Sequence, residues 1–193
     1  FLLCIVVLTE GQINVFNAET MKQIKQKSGF YNTIGLSFSR HNGNVDLLTT
    51  RMRIRADYLT TEYHTFLIGN LQYRKKDANT FDSRGTIHIR GIRKFNSLLM
   101  IEGFLQKQYS ESILLKDRNL AGGGFRFSPL RSNEKWQIDL YVGIGAMWEN
   151  ELIDNKKLDE IETSILRSTN YATLIWQIDD RFSTATTGYF QMR

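Results

Sequence analysis

Hydrophobic and polar residues alternate along most of this chain, most regularly between Trp136 and Glu149. Ile138, Leu140, Val142, Ile144, Ala146 and Trp148 fall on one side of that run, with Gln137, Asp139, Tyr141, Gly143, Gly145 and Glu149 on the other. A period of two is the signature of a β-strand, whose successive side chains point to opposite faces. Strands of soluble sheets run about five or six residues, whereas strands that cross a bilayer run about nine to eleven, apolar on one face and polar on the other. This run has the membrane-crossing length.

The same period recurs upstream and downstream. Alternating runs are read at 29–40, 48–58, 63–73, 83–95, 97–113, 119–128, 136–150, 163–179 and 182–192. In the second, Leu48, Thr50, Met52, Ile54, Ala56 and Tyr58 share one face, and Thr49, Arg51, Arg53, Arg55 and Asp57 share the other. The connections are turn-like: His41-Asn42-Gly43-Asn44 contains the Asn-Gly pair that readily takes the positive φ of a hairpin, and 75–79, 94–96, 129–134 and 179–180 are short and polar. Short links between consecutive strands predict antiparallel neighbours. The stretch 151–162 is longer and acidic and is read as a solvated loop, because it lacks the spaced oxygen ligands around a Gly that a calcium loop needs. Single-chain bacterial barrels carry an even number of strands, so nine runs imply at least one more.

Length and composition fit one all-β domain. The chain has 193 residues and a single Pro, and no apolar run approaches the roughly 18 residues of a spanning helix. A formal charge of +5 is spread through strands and turns without a basic block, which argues against a nucleic-acid partner. One cysteine, Cys4, excludes an internal disulfide and a cysteine zinc cluster. Residues 1–11 are read as the remnant of a signal peptide, 12–28 as a periplasmic segment and 29–193 as the barrel domain. A buried first strand is the alternative for the apolar start.

Three segments carry a resemblance to a known family: Gly35-Leu-Ser-Phe-Ser-Arg-His-Asn-Gly-Asn-Val-Asp46, Asp117-Arg-Asn-Leu-Ala-Gly-Gly-Gly-Phe-Arg-Phe127 and Leu140-Tyr-Val-Gly-Ile-Gly-Ala-Met-Trp-Glu149. Together they resemble the salt-induced outer-membrane proteins, a domain of unknown function (DUF481). The resemblance implies an outer-membrane location, with lipids and the barrel-assembly machinery as partners. It implies no established activity.

The fold expected is therefore an antiparallel up-and-down transmembrane β-barrel of about ten to twelve strands, with Ile34, Leu36, Phe38, Met52, Ile54, Ile87, Ile89, Leu140, Val142, Ile144 and Trp148 facing lipid. Arg51, Arg53, Arg55, Asp57, His88, Arg90, Glu102, Arg126, Asp139 and Glu149 would then line the lumen. They are read either as an ion-pair network that fills a narrow interior or as the lining of a pore for small ions or solutes, preferring anions. Catalysis is not expected, since no nucleophile elbow or metal-spaced histidine pair appears, and a small barrel hydrolase or acyltransferase is the last of the alternatives. Of His41, His64 and His88, only His88 shares a face with carboxylates in this reading. No cofactor or metal is expected. The triplet Gly122-Gly123-Gly124 lacks the helix and Lys of a phosphate loop and is read as a place where the strand bends sharply or a neighbouring side chain comes close. The main competitor is a secreted soluble barrel that turns the same apolar stripes inward around an apolar ligand. The two readings differ in which way the stripe faces.

Overall fold

The computed structural model describes residues 28–41, 46–76, 79–132, 137–154, 161–178 and 182–192. The proposed signal-peptide remnant, all of the N-terminal segment but Ser28, and Trp136 lie outside them, as does most of the Asn42-Gly43 turn.

The chain forms one antiparallel sheet of ten strands: β1 (Gly29–His41), β2 (Leu47–Leu59), β3 (Tyr63–Lys76), β4 (Asn79–Lys94), β5 (Leu99–Ser110), β6 (Leu115–Leu130), β7 (Ile138–Ile153), β8 (Ile161–Ser168), β9 (Asn170–Gln177) and β10 (Ser183–Phe190). Each strand from β1 to β7 pairs with the next in sequence. β7 then pairs with β8 along one half and β9 along the other, Ala146 opposite Ser168 and Gly143 opposite Tyr171. The register does not shift between them, and the Thr169 N–H still donates to the Gly145 carbonyl at 2.8 Å. β8 and β9 are thus one path along β7, interrupted at Thr169, which explains why the sequence reads as a single run there.

Two expected boundaries differ. The run read as 97–113 stops at Ser110, and Glu111–Ile113 forms a 3₁₀ turn closed by Leu114 at a φ of 57°. The acidic stretch 151–162 is strand at both ends: Glu151, Leu152 and Ile153 continue β7, and Ile161 and Glu162 begin β8, paired with it, while 155–160 lie outside the described residues. Backbone pairing overrides the polar composition there.

The sheet is curved. Flat, β5 and β9 would lie three strand spacings apart, roughly 14 Å at about 4.8 Å each. Yet the Tyr171 hydroxyl of β9 donates to Glu102 Oε1 of β5 at 2.7 Å. Phe66 and Ile68 of β3 likewise cluster with Ile92, Met100 and Tyr141 of β4, β5 and β7. Among the described residues β1 and β10 pair only inward, with β2 and β9, so strand direction matches the expected barrel, as does strand number with β8 and β9 counted separately, while the sheet stays open. Closure depends on the register between first and last strands, which alternation of side chains does not encode.

Glycines supply the floor of the concave face. A Cβ on Gly122 would lie 2.6 Å from the Phe104 ring, and one on Gly143 would run into the ring of Tyr171. The close approach expected at the glycine triplet is therefore present. At Gly124 a Cβ would meet the backbone of β7, at the Ile144 carbonyl and at Gly145 Cα, 2.6 Å away. Gly124→Ala should consequently cost about 1–3 kcal/mol of overpacking and lower the urea midpoint of the refolded chain. Gly188→Ala, where a Cβ meets nothing within 4 Å, should leave that midpoint unchanged.

Candidate functional site

Parity along each strand sends the charged candidates to the concave face. Arg51, Arg53, Arg55 and Asp57 alternate with half-buried Met52 and Ile54 on β2. His88 and Arg90 follow on β4, Glu102 on β5, Arg126 on β6, and Asp139 and Glu149 on β7. The convex face carries the residues expected to face lipid, including Ile34, Leu36 and Phe38 at 68%, 71% and 76% exposure.

The deepest group joins β4, β5, β6 and β9. Arg126 is fully buried, donates to Glu102 through Nη2, and donates through Nε to the Tyr171 hydroxyl at 2.6 Å. Arg90 Nη1 lies 3.7 Å from the same carboxylate. Register explains the arrangement: Arg126 faces Gly143, and Gly143 faces Tyr171. Because Gly143 has no side chain, the phenol reaches across β7 to the guanidinium.

A second group sits on β2 and β3. Arg55 Nε donates to Asp57 Oδ2 at 2.7 Å, and His64 Nε2 lies 3.0 Å from Asp57 Oδ1. His64 was expected outside the carboxylate face, and the structure corrects this. The reason is that β3 carries Phe66 and Ile68 on its concave side and Leu67 and Leu71 on its convex side, so its two faces look alike in sequence. His64, Phe66, His88 and Phe104 form a diagonal row of rings with centroids 5.3, 5.9 and 5.8 Å apart. Arg55 lies over Phe66 and Arg90 over Phe104, each about 5 Å from the ring. His88 Nδ1 meets Gln106 Oε1 at 3.0 Å.

The third group surrounds Glu149, which accepts from Arg118 Nε at 2.7 Å and pairs with Arg167 at 2.6 Å. Arg118, Arg167 and Tyr171 are not among the residues that the sequence singles out. Strand parity would have found Arg118 and Arg167; nothing local marks Tyr171 as the partner of Arg126. Asp139 stands apart, accepting the Ser132 backbone N–H at 2.9 Å. Arg51 and Arg53 reach amide oxygens, Gln72 Oε1 at 2.9 Å and Asn70 Oδ1 at 3.1 Å. Among the described residues no three His, Cys, Asp or Glu side chains converge as metal ligands would.

This chemistry is that of compensated burial. Removing one partner of a buried ion pair costs about 3–5 kcal/mol because the other charge is left without compensation. Glu102→Gln should lower the stability of the refolded chain by that amount in urea titration. Tyr171→Phe, which removes two hydrogen bonds to charged groups, one accepted from Arg126 and one donated to Glu102, should cost about 3 kcal/mol or more. The double variant should fall short of the sum, since both side chains act on Arg126.

No curated protein matches the chain. The family described as "Protein of unknown function, DUF481" matches residues 34–193, a span that takes in the apolar convex face from Ile34 onward and all three charged groups. The chain belongs to the DUF481 family.

Proposed function

We propose that this protein is a β-barrel wall of the bacterial outer membrane, structural or porin-like, with its concave side as the lumen. The observation that carries the reading is the direction of the stripes. Ile34, Leu36, Phe38, Leu71, Ile87, Ile89, Leu105, Ile144, Leu166 and Leu174 are exposed on the convex face, while the carboxylates Asp57, Glu102 and Glu149 are buried on the concave one. A soluble barrel holding an apolar ligand needs the reverse. An apolar surface this extended marks contact with another apolar phase.

The dimensions of the apolar band support the same phase. Exposed Tyr63 and Tyr73 bound the convex side of β3, ten positions apart. At about 3.3 Å per residue that is roughly 33 Å of strand, and a tilt of about 40° projects it to roughly 25 Å, the height of the apolar band of outer-membrane barrels. Phe30, Tyr58 and Phe95 are exposed with Tyr63 toward one end of the hairpins, and Phe38, Tyr109 and Trp148 with Tyr73 toward the other. That distribution suits two interfacial girdles. At the Tyr63 end the Arg93 guanidinium lies over Tyr63 and Phe95, 5.4 and 5.0 Å from their rings, with its charge at the level of headgroups. No helix among the described residues is long and apolar enough to cross a membrane; the strands would do so. Lipids and the assembly machinery are the partners this reading requires. The ion-paired concave face favours a lumen filled around Arg126 over a wide channel, and assigns no catalytic residue.

Ile144→Arg separates the two phases. Ile144 is 56% exposed, so in water the substitution should change stability by under about 0.5 kcal/mol. Against lipid a midplane Arg costs about 2–4 kcal/mol. The expected result is loss of heat-modifiable migration and of insertion into vesicles for Ile144→Arg; normal insertion of that variant would overturn the membrane reading.

A further inference from the structure

The arginines of the concave face fall into two groups. Arg55, Arg90, Arg118, Arg126 and Arg167 each lie beside Asp57, Glu102 or Glu149. Arg51, Arg53 and Arg84 have no carboxylate at ion-pair distance among the described residues. Instead Arg51 Nε and Arg84 Nη2 both donate to Gln72 Oε1 at 2.9 Å, and Arg53 Nε donates to Asn70 Oδ1 at 3.1 Å. An amide oxygen orients a guanidinium without neutralising it.

Register gathers these groups. Arg51 faces Gln72, which faces Arg84, and Arg53 faces Asn70 two residue pairs along, on the same face. Three like charges are thereby held around two amides on adjoining strands, an arrangement in which they repel one another. Asp82 is the nearby carboxylate: it accepts from Gln72 Nε2 at 3.4 Å and lies 3.7 Å from Arg74 Nε. Arg74 therefore balances Asp82, and the contact from Nε2 turns the Gln72 oxygen toward Arg51 and Arg84. All three uncompensated arginines are exposed, on the polar side of the sheet, so a solute reaches them without displacing packed side chains.

We propose that Arg51, Arg53 and Arg84 form a binding site for a small, multiply charged oxyanion of the phosphate class. Guanidinium forks present paired N–H donors that match the oxygens of phosphate, and the three side chains that carry them here are exposed. A phosphate group could arrive as a free solute or on a lipid headgroup. The site lies on the face opposite the apolar stripes, which selects the free solute. The inference takes from the membrane reading only that the concave face is open to water.

The test is calorimetric titration of the full chain, refolded in maltoside micelles at low salt, with inorganic phosphate, sulfate, chloride and dihexanoyl phosphatidate. Saturable binding of phosphate and sulfate with none of chloride is the expected result. Loss of one charge-assisted contact should weaken phosphate about tenfold, for Arg51→Gln and for Arg84→Gln alike. Arg93→Gln on the convex face should bind as the parent does. Circular dichroism of each variant checks that it is folded. Absence of saturation, equal saturation by chloride, saturation by the phosphatidate alone, or unchanged affinity in both folded variants would each overturn the site. Vesicle insertion of the same preparation keeps the two readings apart: insertion without phosphate binding sinks the site alone, and phosphate binding without insertion sinks the membrane reading alone.

Discussion

Arg126 is the residue on which the concave face is organised. A fully buried guanidinium is tolerated only where charge and donors are both met, and here Glu102 supplies the charge while the Tyr171 hydroxyl bridges guanidinium and carboxylate. These partners come from β5 and β9, on either side of β6 and β7. Their meeting therefore requires the sheet to curl, and it requires Gly143 beneath the phenol. Curvature, glycine placement and charge pairing are one constraint seen at three scales.

That constraint also sorts the rest of the face. Apolar rings fill the space beside the charges, with Phe66 and Phe104 each lying under an arginine. The interior is consequently neither an oily core nor a water-filled cylinder. It is a mixed layer in which cations are matched by carboxylates and π-faces near Arg126, whereas Arg51, Arg53 and Arg84 are met by the neutral amides of Gln72 and Asn70. The convex side is mostly apolar, with charges such as Arg93 and the Lys107–Asp117 pair toward its two ends, and its aliphatic residues meet no second layer of protein among the described residues.

Much of this was legible in the sequence because β2 and β7 alternate strictly. On those strands parity alone separates Arg51, Arg53, Arg55, Asp57, Asp139 and Glu149 from Met52, Ile54, Leu140, Val142, Ile144 and Trp148. It fails on β3, where Phe66 and Ile68 make the concave side as apolar as the convex, and His64 was misplaced for that reason. The end of β5 was also hidden, since Leu114 takes a positive φ that sequence rules reserve mainly for Gly and Asn. Pairing of Tyr171 with Glu102 was beyond reach, because parity names the face of a residue but not the curvature that brings distant strands together.

The spacing of that last contact bears on the order of events in assembly. Most rungs of the sheet join strands that are neighbours in sequence, so they form by successive hairpins with little loop to close. Glu102 and Tyr171 are 69 residues apart, and they meet only once β6 and β7 are in place between them. The tie is therefore a late-forming latch: hairpins can accumulate in any partial number before it, and its closure reports that the wall from β5 to β9 has been laid down in register.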